Sequence, residues 1–331
     1  MRDLSRQLRV AVAQAAPVFL DREATTEKAC QLIREAGRMG ARVVGFPEGF
    51  IPGHPLWYHF YPATHPRSVE LAARLFENAV EIPSETTAAL GAAAREAGVY
   101  VVMGLCERRA GTFGTLYNTQ LFIGPDGSIL GKHQKLVPTV GERLVHVGGS
   151  GRTLQAFPTD FGRIAGLICA ESTNPLAVAT LAAEYPQVIV VSWPNLNLRF
   201  GVSGSERVGI AGRALALMTK AFVLNCRGTM TEAMREVLLY TEGDRAFLWD
   251  EGATGGSTII DPWGRVIAGP MGAEEGILCA EVDLFEAVKA KMIHDYAGHS
   301  NRPDVFHLTV RAGVESLVTW EGERHGPGAL R

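Results

Sequence analysis

The stretch Gly162-Arg163-Ile164-Ala165-Gly166-Leu167-Ile168-Cys169-Ala170-Glu171-Ser172-Thr173-Asn174-Pro175 decides the fold class. Ile164 to Ile168 is an apolar run of strand length. It stops at Cys169, and Glu171, Ser172, Thr173, Asn174 and Pro175 then bring turn and helix-start chemistry. Ser172 or Thr173 is the expected N-cap of a helix over roughly 174–185. A strand that hands over to a helix is the building unit of an α/β fold, and ligands bind at that edge of an open sheet. A thiol there meets free backbone N–H groups and a positive helix end, which favour the thiolate. Cys169 also reads as one more small buried apolar residue.

Upstream, the same alternation continues. Leu8 to Ala15 reads as a strand. Asp21 to Met39 carries Ala29, Leu32, Ile33 and Ala36 at helical spacing and stops at Gly40. Arg42 to Phe46 is a second strand, and it runs into Pro47-Glu48-Gly49-Phe50-Ile51-Pro52-Gly53. An acid between two Pro/Gly clusters lies outside regular structure. Residues 53–66 gather Trp57, Tyr58, Phe60, Tyr61, His54, His59 and His65. This rigid aromatic loop is expected to form a pocket wall or a subunit contact, and its histidine spacing matches no metal motif. Helices follow over 66–78 and 84–97, with Ser84 as cap and Gly98 as stop. Val99 to Leu105 is a strand. Leu116 to Ile123 and Ile129 to His133 form a hairpin about Pro125-Asp126-Gly127-Ser128. Its second arm delivers Lys135 just before Pro138. Gly148, Gly149 and Gly151 lack the strand–helix context of a phosphate loop and read as turns.

Downstream, Leu154 to Phe157 and Val188 to Val191 read as strands, the latter opening into Ser192-Trp193-Pro194-Asn195. Ser205 to Lys220 is an alanine-rich helix and Ala221 to Asn225 a strand. Residues 227–255 break the rhythm with charges, glycines and a short helix at 230–240, as an insertion covering a site or an interface would. A hairpin (Thr258 to Ile260, Val266 to Ile267), a strand (Ile277 to Val282) and a helix (Leu284 to Tyr296) complete the pattern. The expectation is α/β with mixed sheets. One domain over 1–316 and a loose tail over 317–331 are expected.

Composition bounds the partners. The 331 residues are 47% hydrophobic and 20% charged, and 32 basic against 35 acidic side chains leave a net charge of −3. The absence of a basic stripe argues against nucleic acid or an anionic membrane as main partner. The five cysteines are scattered, and none forms a Cys-x-x-Cys pair, so zinc and disulfide frameworks are not expected. Met1 to Arg9 is polar, and no apolar run reaches spanning length, so a cytoplasmic setting is the expectation.

Glu48, Lys135 and Cys169 thus share one context: each follows an apolar strand and opens a loop. If those strands lie side by side in one sheet, their ends converge in a crevice. Taken singly, each has a plain reading, as a loop acid, a solvated strand end and a core thiol. Together they suit attack on a carbon bonded to nitrogen. A carboxylate takes the thiol proton, and an ammonium stabilises the charge that develops on the substrate.

The chain resembles the nitrilase superfamily, the carbon–nitrogen hydrolases, over roughly 8–310. Phe46-Pro47-Glu48 resembles its glutamate segment, His133-Gln134-Lys135-Leu136 its lysine segment, and Ile168-Cys169-Ala170-Glu171 its nucleophile segment. Tyr117-Asn118-Thr119 before Pro125-Asp126-Gly127 is also similar. Phe50-Ile51-Pro52-Gly53-His54-Pro55, Gly141-Glu142-Arg143 and Asn301-Arg302-Pro303-Asp304-Val305-Phe306 resemble the nitrilase branch. Many members carry tryptophan after the cysteine, where Ala170 leaves the wall beside the thiol more open.

The resemblance implies a four-layer α-β-β-α sandwich with two mixed sheets, paired through helices into a homodimer and extended in some members into spirals. It implies a nitrilase that converts a small-molecule nitrile to a carboxylic acid and ammonia without metal or organic cofactor. The implied roles are nucleophile for Cys169, base for Glu48, charge stabilisation by Lys135 and the Ala170 N–H, and positioning of substrate or water by Glu142. Tyr58, Trp193 and Pro194 are candidates for pocket lining by position and type, and core packing is the other reading of each. His133 gets no catalytic role, and Glu171 is expected to hold the nucleophile turn through backbone N–H groups. An amidase or N-carbamoyl amine hydrolase would use the same three residues, and release of an amide is a further outcome. A non-catalytic scaffold dimer and a redox-sensing thiol are the readings outside hydrolysis.

Overall fold

The structure, a computed structural model, describes residues 6–196 and 203–313. The tail expected over 317–331 lies outside the described residues. The elements run β1 (Gln7–Gln14), α1 (Arg22–Arg38), β2 (Val43–Gly45), α2 (Pro66–Asn78), α3 (Glu85–Ala97), β3 (Tyr100–Arg108), β4 (Leu116–Ile123) and β5 (Ile129–Gln134). Next come β6 (Phe157–Thr159), β7 (Gly162–Ile168), α4 (Pro175–Ala183), β8 (Val188–Trp193), α5 (Gly204–Thr219) and β9 (Phe222–Arg227). The chain continues with α6 (Glu232–Leu238), α7 (Glu242–Leu248), β10 (Thr258–Ile260), β11 (Val266–Ala268), β12 (Gly276–Asp283) and α8 (Phe285–Ile293).

Local chemistry sets these boundaries. Asp21 caps α1 by accepting from the Ala24 N–H at 3.0 Å. Gly98 ends α3 in the left-handed conformation. In the β4–β5 turn, Asp126 Oδ1 accepts from the Ser128 N–H at 2.9 Å. Two expectations shift. The strand expected at Leu154 to Phe157 is instead β6, and Leu154 and Ala156 pack in the helix-side core. Asn174, rather than Ser172 or Thr173, caps α4, accepting from Leu176 and Ala177 N–H groups. Ser172 and Thr173 are spent earlier, their hydroxyls donating to the Cys169 and Ala170 carbonyls at 2.7 Å each.

The strands form two six-stranded mixed sheets, ordered β12-β1-β2-β3-β4-β5 and β11-β10-β9-β8-β7-β6. Period-two alternation separates the layers. Val10, Val12, Val43, Val102 and Phe122 of the first sheet meet Ile164, Val188, Val190, Phe222 and Leu224 of the second. The opposite faces pack on helices: Ala11, Val44, Val101 and Met103 against α1 and α3, and Ala165, Leu167, Ile189 and Val191 against α4 and α5. The result is a four-layer α-β-β-α sandwich, as expected.

The aromatic loop is not chiefly a free pocket wall. Trp57 is fully buried, and the loop packs on the 227–255 insertion, with Tyr61 against Tyr240 at 4.8 Å and Phe60 against Phe247 at 6.2 Å between ring centroids. The Tyr61 hydroxyl also donates to the Leu239 carbonyl at 2.9 Å. Two irregular segments thus bury each other's rings and form one cluster with α2.

Near one end of the strands the sheets approach closely. A Cβ on Gly104 would sit 1.9 Å from the Pro47 carbonyl oxygen, so the loop after β2 lies directly on β3. A Cβ on Gly166 would meet the Gln120 side-chain oxygen at 2.1 Å and the Phe122 ring at 2.9 Å. Gly166→Ala therefore forces Gln120 and Phe122 aside. We expect a loss of about 1–3 kcal/mol, measured as a lower midpoint of denaturant unfolding at unchanged slope.

Candidate active site

Polar links across the sandwich place Glu48. Its N–H donates to the Trp193 carbonyl at 3.0 Å, joining the end of β2 to the end of β8 in the other sheet. Gln120 Nε2 donates to the Val190 carbonyl at 3.1 Å and to Ser192 Oγ at 2.8 Å, and Ser192 Oγ donates to the Phe46 carbonyl at 2.8 Å. The segment before Glu48 is therefore held by main-chain and side-chain bonds rather than by apolar contact alone.

Lys135 follows β5, and its N–H donates to the Asn118 carbonyl on β4 at 2.8 Å. Its Nζ, buried, stands 2.8 Å from Glu48 Oε1 and 2.6 Å from Glu142 Oε1. Asn118 Nδ2 donates to Glu48 Oε1 at 2.7 Å and reaches Glu142 Oε2 at 3.2 Å. The two carboxylates are thus bridged twice, by an ammonium and by an amide.

They are not equivalent. Glu142 sits in the 3₁₀ turn Val140–Leu144, and its Oε1 also accepts the Thr139 N–H at 2.7 Å. His54 Nε2 lies 3.4 Å from Glu142 Oε2, and His146 Nδ1 lies 4.0 Å from it. Glu48 Oε2 accepts no hydrogen bond among the described residues. Burial would raise both acids. At Glu142 burial is the largest single influence, but the surrounding groups, Lys135 foremost, together outweigh it and the group stays ionised. At Glu48 burial wins over Lys135, with the Glu142 charge adding to it, so the carboxyl is held above the usual range. Burial would strip Lys135 of its proton, but the Glu48 and Glu142 carboxylates hold it charged. Burial keeps His54 and His146 neutral, pushing them down to about 4 and about 3.

Cys169 opens the 3₁₀ turn Cys169–Thr173 with φ of 57°. Left-handed backbone costs a side-chain-bearing residue on the order of 1 kcal/mol. It turns the chain so that the Ala170 N–H lies close enough to the sulfur to favour the thiolate form. The thiol lies within the field of Glu48, Lys135 and Glu142. Burial, with Glu48, pushes its pKa well up despite Lys135. The helix proper starts only at Pro175, so its positive end lies some residues beyond the sulfur, and the thiol proton needs an acceptor, as expected of a thiol that a carboxylate activates.

Glu48, Lys135 and Glu142 meet within hydrogen-bond reach, and Cys169 lies in their electrostatic field, but the groups do not come from one sheet. Glu48 and Lys135 follow strands of the first sheet, and Cys169 follows a strand of the second. Glu171 stitches the two. Its Oε1 accepts the Leu136 N–H at 2.9 Å, and its Oε2 accepts the Ile168 N–H at 3.1 Å and faces His133 Nε2 at 2.7 Å. The lining candidates divide. Ala170 is exposed beside the sulfur, and Tyr58 backs the Glu142 turn, where a Cβ on Gly141 would lie 2.7 Å from Tyr58 Cβ. The Trp193 indole instead packs in the helix-side core and donates to Asn225 Oδ1 at 3.1 Å, so only its carbonyl serves the site. Pro194, next to it, is buried.

Sequence reasoning passed over His54, Asn118, Thr139 and His146. The i, i+4 spacing of Glu142 and His146 was the available signal. One group of the metal-ligating type stands here, with ligand atoms of Glu48, His54 and Glu142 within 4.8 Å of one another. The Lys135 ammonium already bridges both carboxylates, so a cation would have to displace it.

Comparison with known proteins agrees with this architecture. The family described as carbon-nitrogen hydrolase matches residues 9–292. The chain is 41% identical over 305 residues to "Nitrilase 2" of an unknown prokaryotic organism, covering 92% of each chain. It is 37% identical over 331 residues to "Nitrilase" of Bacillus sp. (strain OxB-1), covering 96% of this chain and 95% of that one. Among solved structures, the C. elegans NitFhit protein superposes with a TM-score of 0.71 at 18% identity, covering 95% of this chain and 69% of that one. Nit3 of Saccharomyces cerevisiae, a member of branch 10 of the nitrilase superfamily, superposes with a TM-score of 0.69 at 20% identity, covering 91% and 99%. Sequence, sheet order and the strand-end cluster agree: this chain belongs to the carbon-nitrogen hydrolase family, the nitrilase superfamily.

Proposed function

We propose that the protein is a nitrilase that hydrolyses a small organic nitrile to a carboxylic acid and ammonia, with Cys169 as nucleophile. The observation that carries this reading is the asymmetric acid pair. Lys135 bridges both carboxylates, Glu142 is tied at both oxygens, and Glu48 keeps one oxygen free to receive a proton.

In this reading Glu48 takes the Cys169 proton as sulfur bonds to the nitrile carbon. The proton passes to nitrogen, giving a thioimidate. Glu48 then activates a water that adds to the same carbon. Lys135 and the Ala170 N–H stabilise the tetrahedral species. Its collapse releases ammonia and leaves a thioester. A second water, again activated by Glu48, frees the acid and restores the thiol. Glu142 fixes Lys135 and the loop beneath it. Two waters enter and one ammonia leaves. No step calls for a metal or an organic cofactor.

An amidase or N-carbamoyl amine hydrolase would join this route at the tetrahedral species, by addition of the Cys169 sulfur to the carbonyl, and would share every later step with the same groups. The nitrilase names of relatives at 37–41% identity favour the nitrile. The decisive measurement is turnover of a nitrile panel beside the matching amides, with ammonia and acid quantified. We expect acid and ammonia from nitriles, with amides slower; faster amide turnover would reverse the assignment. Cys169→Ala should abolish turnover of either, and Glu48→Gln should lower kcat by about 10²–10⁴-fold.

The acid limb of kcat/KM should lie above the ordinary carboxylate range, because Glu48 must be ionised to accept the proton and burial raises it. Activity therefore falls as pH drops through that limb. Asn118 holds Glu48 down through its amide, so Asn118→Leu should move the limb to higher pH. A limb that stays in place would assign it to another group.

We further propose one hydrolase domain over 1–316 that pairs through its helix layers, the homodimer being one unit of any longer spiral. Leu176 on α4, Ile210 and Leu217 on α5, and Met292 and Ile293 on α8 are 50–73% exposed, apolar side chains on the helices that such pairing would cover. Sedimentation should show a dimer or larger species, and Ile210→Glu with Leu217→Glu should shift it toward monomer.

A further inference from the structure

We infer that His133 is a positioning residue: it stands as an imidazolium whose ion pair with Glu171 ties the strand end carrying Lys135 to the turn carrying Cys169. The inference rests on the reading that Lys135 and Cys169 act on one substrate.

Donor and acceptor accounting carries it. His133 Nδ1 lies 3.2 Å from the Thr153 carbonyl, which only accepts, so Nδ1 bears a hydrogen. His133 Nε2 lies 2.7 Å from Glu171 Oε2. That carboxyl accepts two backbone N–H groups, from Leu136 on one oxygen and Ile168 on the other, which suits the ionised form. Facing a carboxylate, Nε2 must also donate. Both nitrogens then carry hydrogen and the ring is charged. Glu171 acts on His133 in the same sense, its charge and hydrogen bond outweighing burial. At Glu171 burial is the largest single influence, but the His133 charge and hydrogen bond together with the Leu136 and Ile168 N–H groups outweigh it and keep the carboxyl low. The neighbouring Lys132 reaches Glu107 rather than this ring.

The chain positions make the pair mechanical. Leu136 directly follows Lys135, and Ile168 directly precedes Cys169. Both ring and carboxylate are buried, at 1% and 4% side-chain exposure. One carboxylate therefore sets how far the ammonium of the first sheet stands from the sulfur of the second. The imidazolium balances its charge and anchors it to the Thr153 loop. A shift of about 1 Å between reacting groups costs on the order of a hundredfold in rate, so a loosened tie is visible in turnover while binding is spared.

The test compares the full-length wild type with His133→Gln, Glu171→Gln and the double variant. Two readouts are taken. One is the rate of Cys169 alkylation by iodoacetamide, followed by peptide mass spectrometry, with half-buried Cys279 as internal control. The other is kcat and KM on a nitrile that the wild type hydrolyses. Each single variant should lose about tenfold or more in alkylation of Cys169 and in kcat, with KM within about twofold. The double variant, which replaces the ion pair by two amides, should be no worse than the weaker single, as for residues acting as one unit. Single variants within twofold of wild type overturn the inference, as do losses that multiply in the double variant. Faster Cys279 alkylation in step with slower Cys169, or failure of all three variants to fold, makes the pair a general prop and overturns it too. If the wild type hydrolyses no nitrile yet the alkylation pattern holds, the substrate assignment fails and the tie stands.

Discussion

An ammonium sealed between two carboxylates is the constraint on which the rest of this structure depends. Glu48, Lys135 and Glu142 are each about 1% exposed at the side chain, so water screens none of them. Removing a charge from water costs several kcal/mol after relaxation, and only close, well-bonded partners offset that. The partners here come from the ends of β2 and β5 and from the turn at 140–144. The sheet must therefore deliver two strand ends to one point within hydrogen-bond tolerance. The cross-sheet bonds from Gln120, Ser192 and the Glu48 N–H serve that demand, and Gly104 and Gly166 provide the close approach they need.

One net negative charge remains in the triplet, and its location decides the chemistry the site can run. Glu142 collects the donors: Lys135, the Thr139 N–H and the Asn118 amide. Glu48 shares only two of these and keeps an oxygen free. Burial then acts on the less supported acid and raises it toward the thiol it is proposed to deprotonate. Two neutral histidines behind Glu142 add dipoles without adding charge. A partly buried thiol whose pKa is held up, beside an acid that can accept its proton, couples activation of the sulfur to the state of Glu48.

Much of the frame was legible in the residues. Apolar runs of strand length, helix caps such as Asp21 and stops such as Gly98 follow from short-range chemistry, and they locate β1 to β5 and α1 to α3 within a residue or two, apart from the end of β3, which runs three residues past Leu105 to Arg108. Glu48, Lys135 and Cys169 were visible because each breaks an apolar run. Asn118 and His54 were not, because the Glu142 each meets lies 24 or more residues away; His146 had only its i, i+4 spacing from Glu142, in a loop with no other periodicity. Trp193 misled for a related reason. A tryptophan at a strand end looks like a pocket wall, yet strand alternation turns its ring to the helix side, where Asn225 takes its N–H. Ser172 and Thr173 look like caps, but their hydroxyls bond back to the carbonyls of Cys169 and Ala170.

By itself the chain sequence determined the alternation of strands and helices, the three reactive side chains at strand ends and the absence of any long apolar span. These depend on contacts between near neighbours and on composition. Tertiary structure decided that the three reactive side chains follow strands of two sheets rather than of one edge, with the sulfur in the field of the acid and the amine. It also decided that Glu142 and Glu48 differ, that the thiol rests protonated, and that the aromatic loop and the 227–255 insertion bury each other. Each of those depends on burial and on partners distant along the chain. Dielectric environment and long-range pairing exist only once the sheets have closed on each other.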